Sequence, residues 1–202
     1  MKNSEITDYF NRLSDTLDRM DTGNIEKLAE VLLQARERGS TIFIFGNGGS
    51  GATASHMTGD FLKGVSYQLE KRFRVQCLND NVSGMMAISN DLAYEEIFIE
   101  QLKNFLGKDD IVIGISGSGN SMNVVKALQF ARSQGAVTVS FCGFTGGKVR
   151  EHSDLIIHAP IQDMEITEDI HFIVFHALKQ YLVRKLKGDK SSMGGMYDER
   201  VK

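Results

Sequence analysis

The sequence predicts an α/β fold, a parallel five-stranded sheet with helices on both faces. Three observations lead there. Five short apolar runs alternate with segments of helical spacing, and that alternation means parallel pairing with right-handed crossovers. Two strand-to-helix turns are rich in glycine and hydroxyl groups, F-G-N-G-G-S at Phe45–Ser50 and I-S-G-S-G-N-S at Ile115–Ser121. An amphipathic helix pair precedes the first strand.

Taken in order, Ile6, Phe10, Leu13, Leu17 and Met20 form one helical stripe. Asn24 can cap a second helix over Ile25–Arg38, with Leu28, Val31, Leu32 and Ala35 inward. Strand one is Thr41–Phe45, and a helix follows from Ser50 to Leu62. Strand two is about Phe73–Leu78, then a short helix at Ser83–Ser89 and a longer one at Tyr94–Leu106. Strand three is Asp110–Ser116, and Val124, Val125, Leu128 and Ala131 mark the helix from Ser121 to Gln134. Strand four is Val137–Cys142, with a short helix from Gly147. Strand five, Leu155–Ala159, is closed by Pro160, and a long helix runs from about Glu165 to Leu186. There is no internal linker or repeat. The expected division is one domain over 1–187 and a polar, flexible tail over 188–202.

Composition narrows the function. A chain of 202 residues, 42% of them apolar, can bury a full core in one domain. Net charge is −3 with lysine and arginine spread along the chain, against the basic patch that nucleic-acid binding needs. No apolar run approaches the ~20 residues of a membrane span. The polar N-terminus, M-K-N-S-E-I-T-D, is not a secretory signal. Cys77 and Cys142 fall inside predicted strands, as small buried residues of a reducing cytoplasm do.

The second turn holds three hydroxyls (Ser116, Ser118, Ser121), the Asn120 amide, and Gly117 and Gly119. Unpaired amides at a helix start carry partial positive charge, and hydroxyls beside them add donors. That suits a phosphate without any lysine. An ordinary N-cap at Ser121 would explain one such turn; this chain has two. Neither is G-x-G-x-x-G and neither continues into G-K-S/T, so the ligand expected is a small phosphorylated molecule rather than a nucleotide. His56 and Asp60, four apart, share one face of the helix after the first turn. Such a pair can bind metal or transfer protons, although a surface pair is the commoner use. Asn90-Asp91 either stops a helix or reaches substrate hydroxyls. In the last helix Glu168 and His176 can share a side, and His171 is close in angle to Glu168. A structural Glu–His hydrogen bond is the alternative there.

G-N-G-G-S with His56, then G-I-S-G-S-G-N-S, then Ile170-His171 with a second histidine five residues on, resembles the sugar isomerase (SIS) domain family. The likeness runs from about residue 5 to 187 and is strongest to its bacterial phosphoheptose isomerases. The resemblance implies ketose–aldose isomerisation of sedoheptulose 7-phosphate through an enediol. It also implies a homotetramer whose sites are lined by neighbouring subunits. The expected fold is then a three-layer αβα sandwich in flavodoxin-like strand order. The resemblance places substrate contacts on Asn47, Gly48, Gly49 and Ser50, on Asn90 and Asp91, and on Ser116, Gly117, Ser118 and Ser121. The first metal-type histidine falls on His56 and the catalytic one on His176. Asp60 stands where the isomerases carry glutamate, Glu168 where they carry glutamine, and Gly117 where they carry threonine. Asp60 and His176 are the expected proton-transfer pair, and Glu168 also belongs to the substrate site. Two imidazoles and two carboxylates, His56, Asp60, Glu168 and His176, make a zinc set that manganese or iron also tolerates. The alternative is a non-catalytic SIS module that binds a sugar phosphate or a protein such as a replication initiator.

Overall fold

The computed structural model describes residues 4–188. Beyond Gly188, the expected polar tail lies outside the described residues. Strands β1 (Thr41–Gly46), β2 (Arg74–Cys77), β3 (Ile111–Ser116), β4 (Val137–Cys142) and β5 (Leu155–His158) form one sheet in the order β2-β1-β3-β4-β5. Every neighbouring pair is parallel. This is the flavodoxin-like order. The order reverses between β1 and β3, so the two glycine-rich turns that follow those strands open onto the same crevice.

Side chains alternate across the sheet with the period of two that a strand imposes. Ile42, Ile44, Ile111, Ile113, Val139 and Phe141 pack into one core with α2 (Thr22–Arg38), α3 (Gly48–Gly59) and α7 (Met164–Lys187). Phe43, Phe45, Val112 and Cys142 pack into the other with α5 (Ile99–Phe105) and α6 (Met122–Ser133). The sandwich is therefore three-layered. Gly114 lets α6 sit close on β3, since a Cβ there would lie 2.8 Å from Val124 Cγ1. Asp110 ties the strand starts together by accepting from the Thr41 and Gly107 amides at 2.7 and 2.8 Å. Both cysteines are free and buried, as expected, and burial pushes each thiol up to about 11.

Several boundaries differ from the sequence reading. α2 begins at Thr22, because Asp21 rather than Asn24 caps it by accepting from the Gly23 amide. α3 begins on the glycines of the first turn and runs into a π-helical segment, Asp60–Val65. The helix expected over Tyr94–Leu106 is a 3₁₀ turn at Tyr94–Glu96 followed by α5. α4 (Val82–Asp91) buries no residue. α1 (Glu5–Asp18) buries only Thr16, and its Ile6 and Phe10 are 70% and 61% exposed. No described helix is long and apolar enough to cross a membrane.

Candidate active site

α3 and α7 run side by side in the same direction, and their facing residues build the centre of the site. Gly49 of α3 meets Glu168 of α7, and two turns further along His56 meets Phe172 and His176. His56 Nε2 and His176 Nε2 are 3.3 Å apart. Asp60 Oδ2 lies 3.5 Å from the first and 3.8 Å from the second. Phe172 packs against both rings, with centroids at 4.8 and 4.5 Å. Asp60 Oδ2 is buried and has no hydrogen-bond partner, while Oδ1 accepts from Lys179 Nζ at 2.5 Å. Burial holds the His176 ring below the ordinary histidine value; Asp60 opposes that, and the charges of His56 and Lys179 add to it.

These three side chains fit a divalent cation. One ligand atom from each of His56, Asp60 and His176 lies within 4.8 Å of the others. Tetrahedral donors at zinc's bond lengths stand roughly 3.3 Å apart, close to the observed spacings. An unpartnered carboxylate oxygen facing two imidazole nitrogens is the arrangement that a cation would complete. Within one chain Glu168 is not in this group, so three of the four expected residues come together. Eight residues of helix put it about 12 Å along α7 from His176. Its carboxylate instead lies over Gly49, where a Cβ would come 2.2 Å from Oε2. Burial raises the Glu168 pKa, with help from Glu165 and Asp169.

His171 takes a separate place. It is wholly buried, edge-on to Phe141 at 5.6 Å, and neither ring nitrogen completes a hydrogen bond. Burial lowers its pKa to about 4, although the Cys142 backbone favours the charged form; His158 adds to the lowering. The folded chain therefore refuses a proton that the unfolded chain accepts from about pH 6.5 downward. Stability is fully present above that pH and falls by up to about 3 kcal/mol as pH drops to 4. Thermal denaturation between pH 7 and 4 checks this: His171→Leu is expected to flatten the decline relative to wild type.

The turn after β3 is a cluster of hydroxyls. Ser121 is the N-cap of α6, yet its side chain makes no capping bond and lies 3.1 Å from Ser116 Oγ. Ser118 Oγ accepts from the Asn120 amide at 3.2 Å. Gly119 has φ +69°, and a Cβ there would lie 2.0 Å from the Gly146 carbonyl, so only glycine fits. Against Gly117, the Met164 thioether fills the space a side chain would take, 2.4 Å from the ideal Cβ position.

A cavity of about 690 Å³ opens beside the first turn, lined by Gly46, Asn47, Gly48, Asn79, Met85, Met86, Ser89, Asn90, Tyr94 and Ile97. Asn47 is fixed by a reciprocal amide pair with the buried Asn123, at 2.9 and 2.8 Å, and by the Tyr94 hydroxyl at 2.9 Å. Asn90 donates to Asp91 Oδ1 at 2.7 Å at the end of α4. Ser50 is buried in the first turn of α3. Tyr94, Asn123 and Lys179 escaped the sequence reading. Lys179, three residues after His176 on the same helix, was the one detectable signal.

The sequence matches the SIS-domain family model over residues 8–143, two thirds of its length. The chain belongs to the SIS-domain family. It is 32% identical over 174 residues to the probable phosphoheptose isomerase of Thermoplasma volcanium, covering 86% of this chain and 88% of that one. It is 38% identical over 149 residues to the phosphoheptose isomerase of Helicobacter pylori strain Shi470, covering 73% and 77%. The phosphoheptose isomerase structure from Francisella tularensis superposes with a TM-score of 0.81 at 22% identity, over 89% of this chain and 94% of that one. That likeness is one of fold, and this chain has the SIS sandwich over nearly its whole described length.

Proposed function

We infer that this chain is a phosphoheptose isomerase, an aldose–ketose isomerase converting sedoheptulose 7-phosphate to glycero-manno-heptose 7-phosphate. The observation that carries this reading is the His56–Asp60–His176 group, set on helices beside the hydroxyl turn, in a chain 30–38% identical to several phosphoheptose isomerases. In this reading Ser116, Ser118, Ser121 and the amino end of α6 hold the phosphate, with the backbone of Gly117. Asn47, Gly48, Gly49, Ser50, Asn90, Asp91 and Glu168 contact the sugar hydroxyls. His176 and Asp60 form the proton-transfer pair: one removes the C1 proton and the other returns a proton to C2, through an enediol. A divalent metal, zinc by donor type, would be held by His56, Asp60 and His176 and would polarise the sugar oxygens; with it bound, Asp60 would serve as a ligand only.

The domain is one SIS unit over 1–187, working in the cytoplasm, where two free buried cysteines are at home. Assembly is supported by Ile6 and Phe10 standing exposed on α1, and a homotetramer by the resemblance to phosphoheptose isomerases. Light scattering is expected to give about four times the 22.5 kDa of one chain; a mass near one chain overturns the assembly. The activity is tested on a panel of five- to eight-carbon ketose phosphates. Turnover confined to the heptulose supports the reading. Binding without turnover of any member places the chain with the non-catalytic modules instead.

A further inference from the structure

We propose that Lys179 is a positioning residue that commits Asp60 to giving one oxygen, and only one, to a cation at the histidine pair. The inference rests on the metal reading above. Lys179 follows His176 by one turn of α7 and reaches back to Asp60 Oδ1 at 2.5 Å. Both side chains are mostly buried, at 15% and 16% exposed, so the ammonium has few other partners. Gly64 leaves the room: a Cβ there would stand 2.9 Å from Lys179 Cε. With Oδ1 engaged, Asp60 turns Oδ2 toward His56 and His176, and that oxygen has no partner of its own.

A carboxylate free to rotate can offer both oxygens to a metal. Held by Lys179, Asp60 offers one, and with two imidazoles the chain supplies three donor atoms. Three protein donors leave a position open, which is the form of a catalytic rather than a structural site. A partner behind a carboxylate ligand orients it in the way this ammonium does. Phe172 fixes the two rings in the same manner from the other side. The local chemistry is therefore set for low coordination by a residue that never touches the cation.

Cobalt(II) reads coordination directly, because its visible absorption is intense when four-coordinate and weak when five- or six-coordinate. Metal-free wild type, Lys179→Met and Lys179→Arg are each titrated with cobalt(II) alone. Wild type is expected to give the intense band, and Lys179→Arg to keep it. Lys179→Met frees Oδ1, so its band is expected to fall by roughly threefold or more as a second oxygen joins. Circular dichroism reports folding, and Lys179→Gln carries the same test where the methionine variant does not fold. Cobalt bound with the same band in wild type and in the folded variant overturns this inference and leaves the metal reading standing. No cobalt bound by wild type overturns both.

Discussion

Replacing His176 with alanine is expected to lower kcat by roughly 10³-fold, about 4 kcal/mol of barrier, while the fold survives. Its ring lies on the open side of α7, with the side chain 41% exposed, so truncation leaves no large core cavity. Its Nε2 lies 3.3 Å from His56 Nε2, and in the enediol reading it carries one half of the proton transfer. Loss of that half removes a step made only in the transition state, so kcat should fall far more than KM changes. Steady-state kinetics beside a melting curve separate the two. Activity within about threefold of wild type would remove His176 from the chemistry. His171→Leu serves as the contrast: its ring is buried against Phe141, away from the pair, and its effect should appear in acid stability rather than in kcat.

The second large effect is expected from the turn after β3. Ser116→Ala with Ser118→Ala removes two hydroxyl donors beside the amino end of α6. A hydrogen bond to a charged group is worth about 1.5–3 kcal/mol, so the pair should weaken sugar-phosphate binding by roughly 10²-fold or more. The effect should fall on KM, because the phosphate is remote from the reacting carbons and is held alike in ground and transition states. Calorimetry with the substrate, or with inorganic phosphate as competitor, measures it. Unchanged affinity in the folded double variant would place the phosphate elsewhere. Ser121 is the internal control: its hydroxyl is free of capping duty, so Ser121→Ala should cost affinity without costing the helix.

Much of the fold is legible because burial on both faces makes strands continuous apolar runs. Val137–Cys142 has the same bounds in sequence and structure, and β1 differs by one residue, Gly46. The misread elements have physical causes. Apolar periodicity begins at Ile25, so Asp21, which caps three apolar-free residues earlier, left no hydrophobic signal. Ile97 and Phe98 are adjacent and both buried, and the backbone breaks there between a 3₁₀ turn and α5 instead of continuing straight. A π-helical segment such as Asp60–Val65 adds a fraction of a residue per turn, which spacing in one sequence does not reveal.

The site divides in the same way. Local spacing found the His56–Asp60 pair, four residues apart on one helix. It also suggested that Glu168 and His176 share a side, and they do lie along the same flank of α7. Angle alone ignored the rise of the helix, which sends Glu168 to Gly49 and leaves His176 with His56. The choice between His171 and His176 needed tertiary packing: one ring faces Phe141 in the core, the other faces His56. Tyr94 and Asn123 reach Asn47 from 47 and 76 residues away, a distance over which no local pattern operates.

The enediol account is tested most directly by isomerising sedoheptulose 7-phosphate in deuterium oxide and following the product by proton NMR. The account predicts an aldose 7-phosphate carrying solvent deuterium at C2, with exchange at C1 of the recovered ketose, and neither in the His176→Ala variant. Conversion with a fully protonated C2 would mean that the hydrogen moved without leaving the sugar's own pair of carbons, and would contradict proton transfer through His176 and Asp60 in contact with solvent.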